Sequence, residues 1–320
     1  MHAFRMPAKG QPPVLSELPE PVPGPGEVAL RIRACGLNFA DLLMIEGRYQ
    51  DTPAAPFTLG MELAGEVTAL GPGTPGPAPG TRVAVFAGQG GLAEAGVFPA
   101  DRCLPLPDSM SWQEAAAFQI AWGTSHLALT RRGRLRPGET LLVLGAAGGV
   151  GLTAVEVGKR LGATVIASAR GPDRLAVARE AGADHLIDSD APDLRGALKA
   201  LGGIDVCYDA VGGPAFHDAL RALRPEGRML AIGFAGGEVP QVAANLLLVK
   251  NIEVAGFYWG GYLRFAPGAL KASLAELLDW HGRGLIRTHI SHTLPLAEAA
   301  EALALLRDRK ATGKVVVTMD

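Results

Sequence analysis

The sequence predicts an α/β protein in which a doubly wound parallel sheet is inserted into a β-rich domain. Two observations support this prediction. In the middle third, short and nearly uninterrupted apolar segments alternate with helical segments, which is typical of a parallel sheet covered by helices on both faces. The first third instead contains short alternating segments separated by Pro/Gly clusters, so we expect it to be mostly β.

These segments set the expected domain boundaries. The apolar segments "TLLVLG", "TVIASA", "IDVCYDAVG", "RMLAIGFAG" and "IEVAGFYWG" place the parallel sheet within residues 122–261. Residues 1–121 and 262–320 then form the β-rich domain, which includes the C-terminal strand "GKVVVTM". Between the two, "SWQEAAAFQIAWGTSHLALT" is expected to form one long helix that begins with a capping box of Ser111 and Glu114.

Composition excludes several classes of protein. The chain has 320 residues, of which 48% are hydrophobic, and a net charge of −2, as in soluble globular proteins. The sequence has no excess of basic residues that would indicate nucleic acid as a partner. No apolar run is long enough to span a membrane, and the first residues do not resemble a signal peptide. Three widely separated cysteines without a CxxC pair favour a reducing compartment, so a cytoplasmic location is expected.

The segment "LLVLGAAGGVGLTAVEVGKRLG" contains the strongest local motif. A strand is expected to end at Leu144, so that Ala146, Gly148 and Gly151 take the three positions of the dinucleotide-binding pattern GxGxxG. The following helix offers free N–H groups and a positive dipole to a pyrophosphate. The contacts expected in this turn are Ala147, Gly148, Gly149 and Val150. A glycine-rich turn without a ligand is the alternative interpretation.

The end of the next strand, in "TVIASARGPDRL", indicates which dinucleotide binds. A NAD-binding protein places an acidic residue there to bind the ribose 2′-hydroxyl, but Ala169 occupies that position. Ser168 and Arg170 flank it, and Arg174 lies one helical turn further along. A small polar residue with arginines suits a 2′-phosphate, so NADPH is the expected cofactor. The alternative is that both arginines are solvated surface charges.

Five segments together carry a family resemblance: "GLNFADLLMIEGRY", "PFTLGMELAGEV", "GAAGGVG", "RMLAIGFA" and "ATGKVVV". In order and spacing the chain resembles the medium-chain dehydrogenase/reductase superfamily, and it is most similar to the zinc-free quinone oxidoreductase (zeta-crystallin-like) branch. The resemblance covers essentially the whole length. It implies a Rossmann domain inserted into a GroES-like catalytic domain.

The resemblance also bears on metal binding. Zinc-bearing relatives carry a cysteine at the position of Asn38 and a histidine at that of Met61, and a thioether cannot replace a neutral imidazole on Zn²⁺. The four closely spaced cysteines of a structural zinc site are absent as well. His289 and His292 are expected on opposite faces of a strand, as ordinary surface residues. We therefore expect a protein without metal.

The resemblance implies catalytic residues at the mouth of a slot for the nicotinamide. Asn38 can donate an amide hydrogen bond toward the substrate or the cofactor, and Asp41 can fix the local loop or a cofactor hydroxyl. Tyr49 can stack and donate its hydroxyl. Helix capping is the alternative for Asn38 and Asp41. Thr124 and Lys314 are weaker candidates for a nicotinamide-side or phosphate contact, and Lys314 is alternatively a charge that flanks a strand.

Further cofactor contacts are expected at strand ends, because ligands bind at the carboxyl edge of such sheets. The residues that follow two such ends are Gly233, Phe234, Ala235, Phe257, Tyr258 and Trp259. The aromatic members can form a wall beside the nicotinamide or the substrate. Alternatively, they belong to the core or to an interface.

Together these features predict an NADPH-dependent quinone reductase that transfers hydride directly to a small molecule. A metal-free site favours a ready hydride acceptor over an alcohol, because nothing in it stabilises an alkoxide strongly. An enone or enoyl-thioester reductase and a low-turnover NADPH-binding protein remain as alternatives. A homodimer is expected, because the apolar strand "IEVAGFYW" would be an exposed sheet edge in a monomer and relatives associate through this edge.

Overall fold

The computed structural model describes residues 1–319. The strands are β1 (His2–Met6), β2 (Val14–Glu17), β3 (Glu27–Gly36), β4 (Phe57–Thr58), β5 (Glu62–Leu70), β6 (Arg82–Phe86), β7 (Ala95–Pro99), β8 (Cys103–Pro105), β9 (Thr140–Leu144), β10 (Thr164–Ala169), β11 (His185–Asp188), β12 (Ile204–Asp209), β13 (Leu223–Ala231), β14 (Glu253–Gly256), β15 (Ile290–Pro295) and β16 (Lys314–Thr318). The helices are α1 (Phe39–Ile45), α2 (Trp112–Ala116), α3 (Gln119–Leu127), α4 (Gly149–Arg160), α5 (Gly171–Glu180), α6 (Leu194–Ala200), α7 (Gly213–Ala222), α8 (Ala244–Lys250), α9 (Tyr262–Phe265), α10 (Pro267–Gly282) and α11 (Ala299–Arg307).

The chain divides into two compact units. The mixed-sheet unit comprises Met1–Ile120 and the segment from His281 onward, and the parallel-sheet unit comprises Ala121–Trp280. The second boundary between the units lies at residues 280 and 281, whereas the sequence analysis expected it at residues 261 and 262. Most of α10 belongs to the parallel-sheet unit, where His126 Nδ1 on α3 lies 2.8 Å from Ser273 Oγ on α10. A tertiary contact of this kind leaves no local signal in the sequence.

The parallel-sheet unit contains the doubly wound sheet. Its strands follow the order β11-β10-β9-β12-β13-β14, and every neighbouring pair is parallel. All five residues of β9 are buried, because helices cover both faces of a sheet of this kind. A core of aliphatic side chains from β9, β10 and β12 packs against α6 and α7. The predicted α/β fold class is confirmed.

The mixed-sheet unit is built around the long strand β3. A seven-stranded sheet has the order β15-β16-β3-β5-β6-β8, with β7 also paired to β3, and a three-stranded sheet has the order β2-β1-β4. The last strand of the chain, β16, pairs with β3 in antiparallel register, with Val316 opposite Gly36. Within residues 1–319, none of the helices combines the length and apolar content needed to cross a bilayer.

The prediction of one long helix from Ser111 onward is wrong, although its start is correct. Ser111 Oγ accepts a hydrogen bond from Glu114 N at 3.2 Å, and Glu114 Oε2 accepts one from Ser111 N at 3.2 Å, which completes the capping box. Helix α2 nevertheless ends at Ala116, and α3 begins at Gln119. Glu62 Oε2 accepts a hydrogen bond from Ile120 N at 3.0 Å, so a distant carboxylate satisfies the first turn of the second helix.

Candidate active site

The carboxyl ends of the parallel strands meet at one edge of the sheet. Leu144 at the end of β9 pairs with Ser168 on one side and with Asp209 on the other, and Asp209 pairs with Ala231. Ala231 in turn pairs with Gly256. The last residues of these strands and the segments that follow them contain most of the predicted cofactor contacts, namely Ala147–Val150, Ser168, Arg170, Gly233–Ala235 and Phe257–Trp259. The sequence pattern thus placed them at the same edge.

The glycine turn has the geometry that a dinucleotide site requires. A Cβ on Gly151 would lie 2.1 Å from Gly145 O, so only glycine lets α4 pack this closely on the end of β9. Gly148 is the N-cap of α4, with φ −82° and ψ 174°, and a Cβ there would lie 3.4 Å from Gly145 O. Gly148 is also exposed, so the backbone at the helix N-terminus is accessible to an anion.

A buried hydroxyl network that the sequence analysis missed lies against the first turn of α4. Ser125 Oγ donates to Val150 O at 2.9 Å and lies 2.7 Å from Thr153 Oγ1 and 3.1 Å from the hydroxyl of Tyr208. Thr153 Oγ1 also donates to Ala121 O at 3.0 Å. This network ties the N-terminal end of α4 to β12 and α3. Thr124, which was predicted as a contact, is only 7% exposed.

The end of β10 presents a basic side chain next to acidic ones. Ser168 is buried, so its side chain is not presented at the surface, whereas Arg170 is exposed. Arg170 Nε donates to Asp190 Oδ1 at 3.2 Å, and the two side chains are 59% and 62% exposed. Asp188, at the end of β11, accepts from Gly171 N. Arg174 is partly buried. Any anion that reaches Arg170 competes with Asp190, a residue that the sequence analysis did not consider.

The ends of β13 and β14 contribute fewer exposed groups than predicted. Phe234 is 38% exposed, and Gly233 N and Ala235 N donate to Asp209 O and Ala210 O at the end of β12. Phe257 and Trp259, in contrast, are 7% and 4% exposed. These two aromatic residues therefore belong to the core, as the alternative interpretation stated, whereas Phe234 remains open to a ligand.

In the mixed-sheet unit, Asn38 joins a buried ion pair at the start of α1. Lys314 Nζ donates to Asn38 Oδ1 at 2.7 Å, to Leu37 O at 2.7 Å and to Glu62 Oε1 at 2.8 Å. Lys314 and Glu62 are 4% and 1% exposed. All three N–H groups of Lys314 are used within the protein, so none remains for a phosphate. The structure thus differs from the prediction of Lys314 as a cofactor contact, because strand β16 places its side chain in the core.

Asp41 serves as a structural cap in this cluster. Its carboxylate accepts hydrogen bonds from Asn38 N at 2.8 Å and from Gly60 N at 3.3 Å. The side chain has no exposed surface, so it cannot touch a ligand in this conformation. Capping was the alternative interpretation, and the geometry favours it over a catalytic role. Tyr49, which follows α1, is partly exposed and remains a candidate for contact with a ligand.

Asp41 makes stability depend on pH. Burial, as the largest cause, raises the pKa of its carboxyl from 3.8 to about 6. Because the folded pKa lies above the unfolded one, the contribution is fully present below the unfolded pKa and is lost as pH rises through the folded pKa, ~3 kcal/mol in all. We therefore expect the free energy of unfolding, measured in urea from pH 4 to 7, to fall less steeply with pH in Asp41→Asn than in wild type. Parallel curves would contradict this assignment.

The chain is similar to known proteins over both units. Residues 24–108 match the family described as alcohol dehydrogenase GroES-like domain, and residues 149–279 match the family described as zinc-binding dehydrogenase. The chain is 38% identical to quinone oxidoreductase-like protein 2 of Bos taurus, over 97% of its own length and 90% of that protein.

Two solved structures show the same similarity. The quinone oxidoreductase of Thermus thermophilus, whose complex with NADPH is also solved, is 37% identical with a TM-score of 0.88, over 99% of this chain and 100% of that one. The Escherichia coli quinone oxidoreductase complexed with NADPH is 28% identical with a TM-score of 0.93, over 99% and 100%. The chain therefore belongs to the medium-chain dehydrogenase/reductase superfamily, in its quinone oxidoreductase-like branch of oxidoreductases, as its motifs indicated.

The name of one matching family raises the question of zinc, and the residues of this chain do not fit that ion. Asn38 directs its Nδ2 group toward Glu62 Oε1 at 3.0 Å, and the Lys314 ammonium lies 2.7 Å from the other end of the same amide. A fixed positive charge beside a donor group opposes a second cation. Within residues 1–319, no cluster of three or more His, Cys, Asp or Glu side chains could hold a metal ion.

Proposed function

We propose that this protein is an NADPH-dependent oxidoreductase that transfers hydride directly from the nicotinamide to a quinone, without a metal. The observation that carries the proposal is the end of the parallel sheet. There the N-terminus of α4, whose close packing requires Gly151, is accessible at Gly148. It lies beside the end of β10, where Ala169 and the exposed Arg170 stand in place of the acidic residue of a NAD site. The NADPH complexes of the Thermus thermophilus and Escherichia coli quinone oxidoreductases support the same cofactor.

In such a reaction, different residues of the chain would bind the cofactor and contact the substrate. The turn Ala147–Val150 binds the pyrophosphate through backbone N–H groups, and Arg170 or Arg174 pairs with the 2′-phosphate. Among the aromatic candidates of the parallel-sheet unit, Phe234 and Tyr258 are exposed enough to lie against the nicotinamide or a planar substrate. Tyr49 of the mixed-sheet unit is also partly exposed and stays a candidate for contact with a ligand. The bound nicotinamide supplies the hydride, and the protein supplies its orientation. A quinone needs little electrostatic help to accept a hydride, which suits a site without a Lewis acid.

A substrate panel tests this proposal. NADPH oxidation is followed by absorbance with ortho- and para-quinones, enals and enoyl thioesters at equal concentrations. We expect the highest kcat/KM with a quinone and a primary kinetic isotope effect with NADPH deuterated at the transferred position. Higher kcat/KM with an enal or enoyl thioester would establish the alternative reductase, and binding of NADPH without turnover of any acceptor would establish the low-turnover binding protein.

We also propose that the protein forms a homodimer through the edge of the parallel sheet. Strand β14 is an edge strand, and α8, which leads into it, exposes 78% of Leu248 and 78% of Val249. An unpaired edge beside exposed apolar side chains favours pairing with a second copy. We expect light scattering at micromolar concentration to give about twice the chain mass of 33.2 kDa.

Substitution tests the location of this interface. Leu248→Asp with Val249→Asp should shift the mass to that of one chain, because two charges would be desolvated on pairing. Val22→Asp is the matched control, since Val22 is 87% exposed but lies in the mixed-sheet unit. A monomeric wild type, or an unchanged mass in the double variant, would exclude this interface.

Three unpaired cysteines are compatible with the cytoplasmic location that we propose for the enzyme. Cys35 and Cys207 are buried and Cys103 is partly buried, all as free thiols. Free thiols persist in reducing compartments.

A further inference from the structure

The carboxylate of Asp209, the last residue of β12, holds the loop that follows this strand. Asp209 Oδ1 accepts hydrogen bonds from Val211 N at 2.8 Å and from Gly212 N at 3.0 Å, and Gly212 N also lies 3.1 Å from Oδ2. Asp209 has no exposed surface, so its side chain cannot touch a ligand in this conformation. Because both oxygens bind N–H groups of one loop, the carboxylate fixes the course of that loop.

Gly212 has a backbone conformation that favours glycine, and a side chain comes close to it. Its φ is 76° and its ψ is −157°. A Cβ at this position would lie 2.5 Å from Glu238 O and 3.1 Å from Phe234 Cδ1. The ring of Phe234 therefore lies against the loop that Asp209 holds, at a point where only glycine leaves room for it.

The same loop also holds the backbone of the segment that carries Phe234. On the two sides of Phe234, Gly233 N donates to Asp209 O at 3.3 Å and Ala235 N donates to Ala210 O at 3.1 Å. Phe234 is nevertheless exposed. Its ring is thus an apolar surface that is open to solvent but anchored through the backbone on both sides.

The strand order indicates which half of a dinucleotide reaches this ring. A dinucleotide crosses the sheet edge where the strand order reverses, here between β9 and β12. Arg170, a candidate for the 2′-phosphate of the adenosine half, follows β10 on one side of β9, whereas Phe234 follows β13 on the other side. A Cβ on Gly145 of the glycine turn would lie 2.9 Å from Val211 Cγ2, so the loop after β12 adjoins that turn. The nicotinamide half is therefore expected over β12 and β13.

We propose that Asp209 is a positioning residue that, through the loop at Gly212, fixes Phe234 as a contact surface for the nicotinamide ring of the cofactor. This inference rests on the proposed function, and it assigns Phe234 to the cofactor rather than to the substrate. All the residues that carry it belong to the parallel-sheet unit. The buried carboxylate acts on the ligand only through the ring that it holds in place.

Fluorine NMR of the protein without ligand tests the positioning. Fluorophenylalanine labels ten positions, and Phe234→Leu and Phe265→Leu identify two of the signals. A soluble paramagnetic agent broadens the signals of exposed rings most, so Phe265, which is 68% exposed, is the internal reference. We expect less broadening for Phe234 than for Phe265 in wild type, and nearly equal broadening in Asp209→Ala, because the loop is no longer held. Unchanged broadening of Phe234 in a folded Asp209→Ala would overturn the inference.

A conservative variant and a matched control separate positioning from a general loss of structure. Asp209→Asn keeps an acceptor at Oδ1, which binds both N–H groups, so it should retain the wild-type broadening of Phe234. Asp193→Ala is the control, because Asp193 caps α6 of the same unit by accepting from Gly196 N at 2.7 Å. It removes a similar hydrogen bond and should leave Phe234 unchanged. An equal response of Phe234 to Asp193→Ala would overturn the inference.

Gly212→Ala perturbs the loop by a second route, outside the sheet. Its methyl group would meet Glu238 O and the Phe234 ring, so this variant should increase the broadening of Phe234 although Asp209 is intact. It also serves as the test if Asp209→Ala does not fold, as judged by circular dichroism. A Phe234 signal that keeps its wild-type broadening in Gly212→Ala would contradict the role of the loop.

Binding of two ligands tests the assignment to the nicotinamide ring. 2′-Phospho-ADP-ribose is NADPH without that ring. We expect Phe234→Ala and Asp209→Ala each to raise the Kd for NADPH about three- to tenfold, and to leave the Kd for 2′-phospho-ADP-ribose within about twofold of wild type. The double variant should lose no more than Phe234→Ala alone, because Asp209 acts through that ring.

The outcomes distinguish this inference from the proposed function. Equal losses with both ligands would reduce Asp209 and Phe234 to a structural role, and multiplied losses in the double variant would show that Asp209 does not act through Phe234. Either result would overturn the inference. A wild type that binds neither ligand would instead overturn the proposed function, while the fluorine signals still decide whether Asp209 positions the ring.

Discussion

Gly148→Ala is expected to weaken NADPH binding about ten- to hundredfold while leaving the free energy of unfolding within about 0.5 kcal/mol of wild type. The added methyl group fits the free protein, because it would lie 3.4 Å from Gly145 O and the backbone φ is −82°. It would, however, occupy the exposed surface where the pyrophosphate has to approach the helix N-terminus. Fluorescence titration with NADPH and unfolding in urea measure the two quantities.

Gly151→Ala is the matched control, with the opposite expectation. Its methyl group would lie 2.1 Å from Gly145 O, so the backbone has to move and the protein should lose about 3 kcal/mol or more of stability. The two substitutions add the same atoms three residues apart. Unchanged NADPH affinity in Gly148→Ala would remove the glycine turn from the cofactor site, and with it the main support for the proposed function.

Arg170→Ala is expected to lower the preference for NADPH over NADH by about tenfold. Hydrogen bonds to a charged group contribute about 1.5–3 kcal/mol. The exposed pair with Asp190, which the phosphate has to displace, offsets this by about 0–1 kcal/mol, so roughly 0.5–3 kcal/mol remains, a range that contains the ~1.4 kcal/mol of a tenfold change. Steady-state kinetics with both cofactors measures the ratio of kcat/KM values. NADH should be nearly unaffected, because it lacks the phosphate.

Asp190 and Ala169 provide the complementary substitutions. Asp190→Asn removes the competing charge and should raise the NADPH preference a few-fold, whereas Ala169→Asp should repel the phosphate and favour NADH. Equal losses with both cofactors in Arg170→Ala, or a wild type that prefers NADH, would show that this strand end does not choose the cofactor. A selective loss in Arg174→Ala alone would assign the phosphate to Arg174.

Hydrophobic periodicity and short motifs were sufficient to predict those strands, turns and caps that depend on residues close together in the sequence. The apolar strands β9, β10 and β12 and the turn at Gly148 depend on residues close in sequence, so their type and order were recognisable. The cofactor contacts were predicted at one edge of the sheet, because the carboxyl ends of parallel strands all lie at the same edge. The capping box at Ser111 was recognisable for the same reason, since both of its partners lie within four residues.

Contacts between distant segments could not be predicted in this way. The carboxylate of Glu62 accepts a hydrogen bond from Ile120 N, and the ammonium of Lys314 donates one to Asn38 Oδ1. Neither spacing has a periodic signature, so the break between α2 and α3 and the orientation of Asn38 were both missed. Burial of Phe257 and Trp259 likewise depends on packing, which an aromatic residue at a strand end does not reveal.

The position of β16 in the sheet has a consequence for the order in which the chain folds. Strand β16 carries Lys314 and lies between β15 and β3, so the mixed-sheet unit lacks both a strand and the counter-charge of Glu62 until residues 314–318 have been synthesised. The parallel-sheet unit, Ala121–Trp280, is complete earlier. Because segments of the mixed-sheet unit lie on both sides of the parallel-sheet unit in the sequence, residues 1–120 cannot complete their sheet before residues 121–280 have been synthesised.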